Sequence, residues 1–205
     1  MDNMKIILIG GTSHVGKSTV AEHLADKLGW QYLATDSLCR HPGRPWDDIV
    51  EVPSAVKEYY LSKSPAALVE EVVEHYLSNV WPIANAIIQS RINNRYDRGL
   101  VMEGSALLPE QVVSVNHGQC QAIWLTAPPE LITERILERS GWHKASNKNQ
   151  QIISSFLDRS LIFNQQVIDD ANRLSQKVMD VSEYQGMDEL IDRVAALMLA
   201  DTKIW

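Results

Sequence analysis

The chain has 205 residues, 45% of them hydrophobic, and a formal net charge of −7, a size at which one domain with a sizeable core is expected. Its two cysteines, Cys39 and Cys120, exclude a disulfide framework and are expected as small buried hydrophobes. No apolar run approaches the roughly 20 residues of a membrane span, the apolar residues 6–9 are too few for a signal-peptide core, and no basic face is offered to nucleic acid, so a cytoplasmic protein with neither membrane nor nucleic-acid partner is expected, its oligomeric state open.

Residues 5–9 form a continuously apolar run stopped by Gly10-Gly11, as a strand buried in a parallel sheet does. A helix is predicted over 18–28, with Val20, Leu24, Ala25 and Leu28 on one face and Gly29 to end it. Residues 32–34 read as a weak second strand leading into Asp36. The segment from about 37 to 98 differs in character. Arg40-His41-Pro42-Gly43-Arg44-Pro45-Trp46 reads as a loop, and Ser64-Pro65 opens a helix with the apolar stripe Leu68, Val72, Val73, Tyr76 and Leu77. Pro82 is expected to break or kink that helix before it resumes over 83–94.

Gly99 then marks entry into a third strand over 100–102, ended by Glu103-Gly104. A fourth strand is predicted over 121–126, and Pro128-Pro129-Glu130 opens a helix running to about Arg139. Residues 140–151 are polar and almost free of aliphatic side chains, so a mobile loop is expected there. A helix over 156–174, a fifth strand over 177–181 and a closing helix over 188–200 complete the chain. Five strands joined by helical crossovers imply an α/β fold: a parallel sheet with helices on both faces, in one domain over residues 1–205.

Gly11-Thr12-Ser13-His14-Val15-Gly16-Lys17-Ser18 matches G-x-x-x-x-G-K-[ST] in full, between an apolar strand and a helix start. The glycines let backbone N–H groups curl around a β-phosphate, and the helix N-terminus adds a favourable dipole. Lys17 is placed to bridge β- and γ-phosphates, Ser18 to join a magnesium shell, and Thr19 follows in the same turn. A glycine turn ending in an exposed lysine is the bland alternative, and the strand–loop–helix setting argues against it. ATP and Mg2+ are the ligands this loop implies.

The run 9–19, with Asp36 after the second strand and Glu103-Gly104 after the third, resembles the nucleoside-monophosphate-kinase-like P-loop kinases. Within that group the doubled glycine and Thr12-Ser13 are most similar to the 2-phosphoglycerate-kinase-like proteins, which commonly carry Gly where this chain has His14. The resemblance implies a three-layer P-loop NTPase fold and transfer of the γ-phosphoryl group of ATP to a small acceptor. It also implies that the helical segment 37–98 binds the acceptor and that residues 140–157 form a lid.

Asp36 stands at the C-terminal end of the second strand, where open α/β sheets place their ligands. The resemblance implies an acceptor-binding or basic aspartate there; capping a helix near Ser37 is the alternative. Glu103 ends the third strand and either holds magnesium through water or acts as the base, a plain surface glutamate being the alternative. The division between these two carboxylates stays open. Arg135, Arg139 and Arg159 flank the expected lid as candidate phosphate ligands and stabilisers of the transition state, with Glu134, Glu138 and Asp158 as ordinary ion-pair partners. Arg40 and Arg44 suggest recognition of an acceptor carboxylate or phosphate, unless they pair with Asp47, Asp48 or Glu51. Trp30 and Trp124 are expected in the core, and Trp142 either stacks on adenine or anchors the lid. His14 occupies a loop interior that tolerates most residues, and no Cys/His spacing suggests zinc. The competing reading, a nucleotide-hydrolysing switch, lacks an Asn-Lys-x-Asp motif and has little use for the long helical insert.

Overall fold

The computed structural model describes residues 4–40, 43–46, 52–93, 98–116 and 118–200. Its centre is β1 (Ile6–Gly11), in which every residue is buried. Alternate side chains of a strand face opposite sides of a sheet, and here both sides are covered. Ile7 and Ile9 pack in one apolar cluster with Val20, Ile132 and Val194. Ile6 and Leu8 join the other with Val72, Ile88 and Val112. A strand buried on both faces must be apolar throughout, which is why residues 5–9 read as an unbroken run.

The remaining strands are β2 (Gln31–Ala34), β3 (Leu100–Glu103), β4 (Cys120–Thr126) and β5 (Val178–Asp180). They form one five-stranded sheet in the order β2-β3-β1-β4-β5, with every pairing parallel. The register sets Glu103 opposite both Ile9 and Ala34. The C-terminal ends of β1, β2 and β3 therefore open at one edge, where the segments after them converge.

Helix α1 (Lys17–Leu28) follows β1 and ends at Gly29, whose φ of 62° closes a left-handed cap of the kind glycine favours. Between β2 and β3 lies the helical insert: α2 (Ser54–Leu61), α3 (Pro65–His75) and α4 (Trp81–Asn93). Ser64 caps α3 by accepting from the Ala67 N–H at 3.2 Å, as the Ser-Pro signal implied. Pro82 does not break the run. Residues Tyr76–Val80 form a π-helical turn between α3 and α4, and the Trp81 N–H reaches back to the Tyr76 carbonyl. That wider turn fits the proline, which has no N–H and crowds the carbonyl four residues back. Residue 94, the expected end of this helix, lies outside the described residues, and α2 was not foreseen.

After β3 comes the short α5 (Pro109–Val112), and α6 (Pro129–Arg139) follows β4. Residues 140–151, expected as a loop within the lid region 140–157, are largely helical. A single 3₁₀ turn at Trp142–Lys144 leads to α7 (Asn147–Arg173), capped where the Ser146 hydroxyl accepts from the Asn149 N–H. The first turn of α7 is polar because it is exposed, and a polar exposed turn gives the same sequence signal as a loop. Arg159 consequently sits inside α7 and not at its start. The chain closes with α8 (Met187–Leu199). Trp124 is fully buried as expected, and Trp30 and Trp142 are half-buried against the core. Among the described residues no helix is long and apolar enough to cross a membrane.

Candidate active site

The loop between β1 and α1 is held by specific contacts. A side chain on Gly11, at φ 129°, would lie 2.2 Å from the Leu125 carbonyl oxygen; only glycine lets β1 and β4 approach so closely there. Thr12 Oγ1 donates to the Ser160 carbonyl of α7 at 3.1 Å, and Arg135 Nη1 of α6 donates to the His14 carbonyl at 3.0 Å. Gly16, at φ 91°, precedes α1 with no side-chain cap on its first turn, which leaves helix N–H groups for a ligand. Lys17 is buried and its Nζ donates to the Thr12 carbonyl at 2.6 Å. Burial pushes the Lys17 pKa down, against the opposing pull of the Glu103 and Asp36 carboxylates.

Glu103 is only 5% exposed. Its Oε1 accepts from Ser18 Oγ at 3.1 Å and from the Tyr32 hydroxyl at 3.0 Å. Burial, followed by the Glu103 charge and hydrogen bond, raises the Tyr32 pKa well above the ordinary tyrosine value. Gly104 turns the chain away at φ 149°, with Thr35 Oγ1 only 1.8 Å from where a Cβ would stand. That contact seats the 3₁₀ turn Thr35–Ser37, which carries Asp36.

These groups open into one cavity of about 570 Å³, lined on the loop side by Ser13, His14, Gly16, Lys17, Ser18 and Thr19. Asp36, Glu103 and Gly104 also line it, as do Arg44, Trp46, Tyr76, Phe156 and Arg159 from the insert and α7. Asp36 is exposed to the cavity and accepts no hydrogen bond from the described residues. Arg159 is 7% exposed, donates from Nη1 to the Tyr60 hydroxyl at 3.0 Å and lies 4.7 Å from the Phe156 ring centre. No carboxylate among the described residues accepts from it. Tyr60 in turn donates to the Gly43 carbonyl at 2.6 Å, which ties α2 and the segment carrying Arg44 to α7.

Arg44 thus lines the cavity, whereas Arg40 does not; their alternative partners Asp47, Asp48 and Glu51 lie outside the described residues, as do His41 and Pro42. Arg139 lies off the lining but close enough to act electrostatically on His14. Tyr32, Trp46, Tyr60 and Phe156 escaped sequence reasoning. Each carries an aromatic ring from a different element, and no spacing in the chain links them.

A family model described as AAA domain matches residues 7–154. A relative from Pyrococcus abyssi (strain GE5 / Orsay), named "Putative adenylate kinase", is 27% identical over 184 residues, 85% of this chain and 80% of the relative. Among solved structures, a gluconokinase from Sinorhizobium meliloti 1021 matches with a TM-score of 0.52 at 18% identity, over 98% of this chain and 94% of that one. TT1252 from Thermus thermophilus matches with a TM-score of 0.54 at 18% identity, over 98% of this chain and all of the other. Identities this low speak to fold, and the fold agrees with the sheet order and loop described above. With the family model spanning most of its length, the chain belongs to the AAA domain family and has the three-layer α/β fold of the P-loop NTPases that it shares with a small-molecule kinase.

Proposed function

We propose that the protein is a phosphotransferase that binds ATP with magnesium and moves the γ-phosphoryl group onto a small anionic acceptor. One observation carries this reading: the phosphate-loop groups Lys17 and Ser18, the carboxylates Asp36 and Glu103, and the guanidiniums Arg44 and Arg159 line one cavity of about 570 Å³. A hydrolytic switch uses the first pair, an acid and one arginine for the transition state, but has no use for a second guanidinium such as Arg44 or for the acceptor-sized remainder of the cavity.

A magnesium ion suits the hard oxygen donors at Ser18 and Glu103, whose side chains are already 3.1 Å apart. Ser18 would bind it directly and Glu103 through water, and the ion would offset charge on the β- and γ-phosphates. The loop residues 11–19 would cradle the phosphate chain with backbone N–H groups, Lys17 bridging β and γ. Because Glu103 Oε1 already accepts from Ser18 and Tyr32, we assign it to the metal side and Asp36 to the acceptor. The acceptor hydroxyl oxygen forms the new bond to the γ-phosphorus, the bond from that phosphorus to the β–γ bridging oxygen breaks, and ADP leaves. Asp36 takes the hydroxyl proton. Lys17, Arg139 and Arg159 offset the charge that spreads over the transferring oxygens. Arg135 fixes the loop backbone, and Arg44 holds the acceptor anion, whereas Arg40, off the lining, is left out of the site. Residues 140–157 act as the lid through the Trp142 turn and the first turns of α7. A cytoplasmic setting belongs to the same proposal.

The acceptor is the open variable. The doubled glycine and Thr12-Ser13 favour 2-phosphoglycerate, the Pyrococcus abyssi relative favours a nucleoside monophosphate, and both are anions. Purified protein with γ-labelled ATP and magnesium, tested against a panel holding 2-phosphoglycerate, AMP, hydroxy acids and neutral sugars, should yield one labelled small product. Labelled phosphate released at a rate independent of every acceptor, with no other product, would favour the switch.

A further inference from the structure

Resting on the phosphoryl-transfer reading, we infer that the His14 side chain is an acceptor-binding group, donating a ring hydrogen bond to an anionic oxygen of the acceptor against the wall of Arg44, Trp46 and Phe156. The loop backbone serves the nucleotide; the His14 imidazole serves the other ligand.

Direction comes first. His14 lines the cavity, and its ring centre lies 5.9 Å from that of Trp46 and 6.2 Å from that of Phe156. It therefore leaves the phosphate loop toward the wall built by the insert and α7. The second observation is chemical. Both ring nitrogens are buried and neither has a hydrogen-bond partner among the described residues, an uncommon condition for buried polar atoms. A ring present only to pack on Trp46 and Phe156 needs no nitrogens. The third concerns charge. The groups that act on the ring, after burial itself, are the cations Arg44, Lys17, Arg139 and Arg135, and together they push its pKa down to about 4. At neutral pH the ring is uncharged, with one N–H to donate, in surroundings that attract an anion. Finally, His14 holds φ 65°, a left-handed conformation uncommon for residues other than glycine.

The test uses inorganic phosphate as the acceptor-side probe, with the protein first saturated with magnesium and the non-hydrolysable analogue AMP-PNP. Calorimetry measures both affinities in wild type, His14→Phe, which keeps a ring, and His14→Gly, which suits the left-handed backbone. Phosphate affinity should fall about 10- to 100-fold in both variants, the range of a hydrogen bond to a charged group, and by clearly more than AMP-PNP affinity measured on the same protein. The His14 ring resonance of histidine-labelled wild type, assigned by its loss in His14→Phe, should move when phosphate is added. Wild-type phosphate affinity in His14→Phe would overturn the inference by reducing the ring to packing. A resonance that moves fully with AMP-PNP alone would overturn it by placing His14 on the nucleotide. Absence of phosphate binding to wild type that does bind AMP-PNP overturns the inference alone, whereas failure of AMP-PNP itself to bind removes the phosphoryl-transfer reading as well.

Discussion

Tyr60→Phe removes one oxygen and leaves the ring packing against Phe156 in place. That oxygen accepts from Arg159 Nη1 at 3.0 Å and donates to the Gly43 carbonyl at 2.6 Å. Tyr60 is 1% exposed and Arg159 7%, so water cannot readily replace what is lost. A hydrogen bond to a charged group is worth about 1.5–3 kcal/mol, and a neutral one about 1 kcal/mol. The expected loss is therefore roughly 3 kcal/mol, which for a chain of this size lowers Tm by about 6–12 °C. Thermal unfolding followed by circular dichroism measures it directly. Because the same oxygen orients Arg159 and anchors the segment carrying Arg44, turnover should fall while ATP binding holds. A Tm within about 2 °C of wild type would refute the reasoning, since it would mean that Arg159 finds another acceptor at no cost.

Lys17→Ala should leave Tm at or slightly above the wild-type value, because a buried cation is removed, and should abolish stabilisation by ATP in the same melting assay. Asp36→Asn should retain ATP affinity and lose about 10²-fold in turnover, the scale of a missing general base; undiminished turnover would return the base to Glu103. Gly104→Ala places a Cβ 1.8 Å from Thr35 Oγ1 at φ 149° and should cost about 2–4 kcal/mol, measured by urea unfolding. The pH dependence follows from His14, whose pKa in the folded chain is about 4 against an ordinary 6.5. As pH falls below 6.5 the unfolded chain takes up this proton first, so the contribution is whole above 6.5 and is lost on the way down through 4. Discounted for partial exposure, it is on the order of 2 kcal/mol, and His14→Asn should lose correspondingly less stability between pH 7.5 and pH 4.5.

What could be read from the chain is what lies contiguous in it. The phosphate loop is eight successive residues, so its match is complete before any fold is known. β1, buried on both faces, is apolar throughout and ends at Gly10-Gly11, and β3 is bracketed by Gly99 and Gly104, so these strands were legible, whereas the partly exposed β2, opening on Gln31, gave a weaker signal. The start of α7 was missed because residues 147–151 face mainly solvent, and a polar exposed turn carries no apolar period. The chain stays helical across Pro82 with a π turn just before it, where the Trp81 N–H makes the longer bond to Tyr76, and local sequence does not distinguish such a turn from a break.

The pocket itself is a product of tertiary structure. Asp36 and Glu103 are 67 residues apart in the chain, and the parallel register of β2 and β3 brings the residues before and at them together. Tyr60, Phe156 and Arg159 meet only because α2 packs on α7. A phosphate loop binds with its own backbone, so local sequence suffices to specify it. The rest of the lining is built from side chains on separate elements, and their shared chemistry exists only once the core has fixed the distances between them.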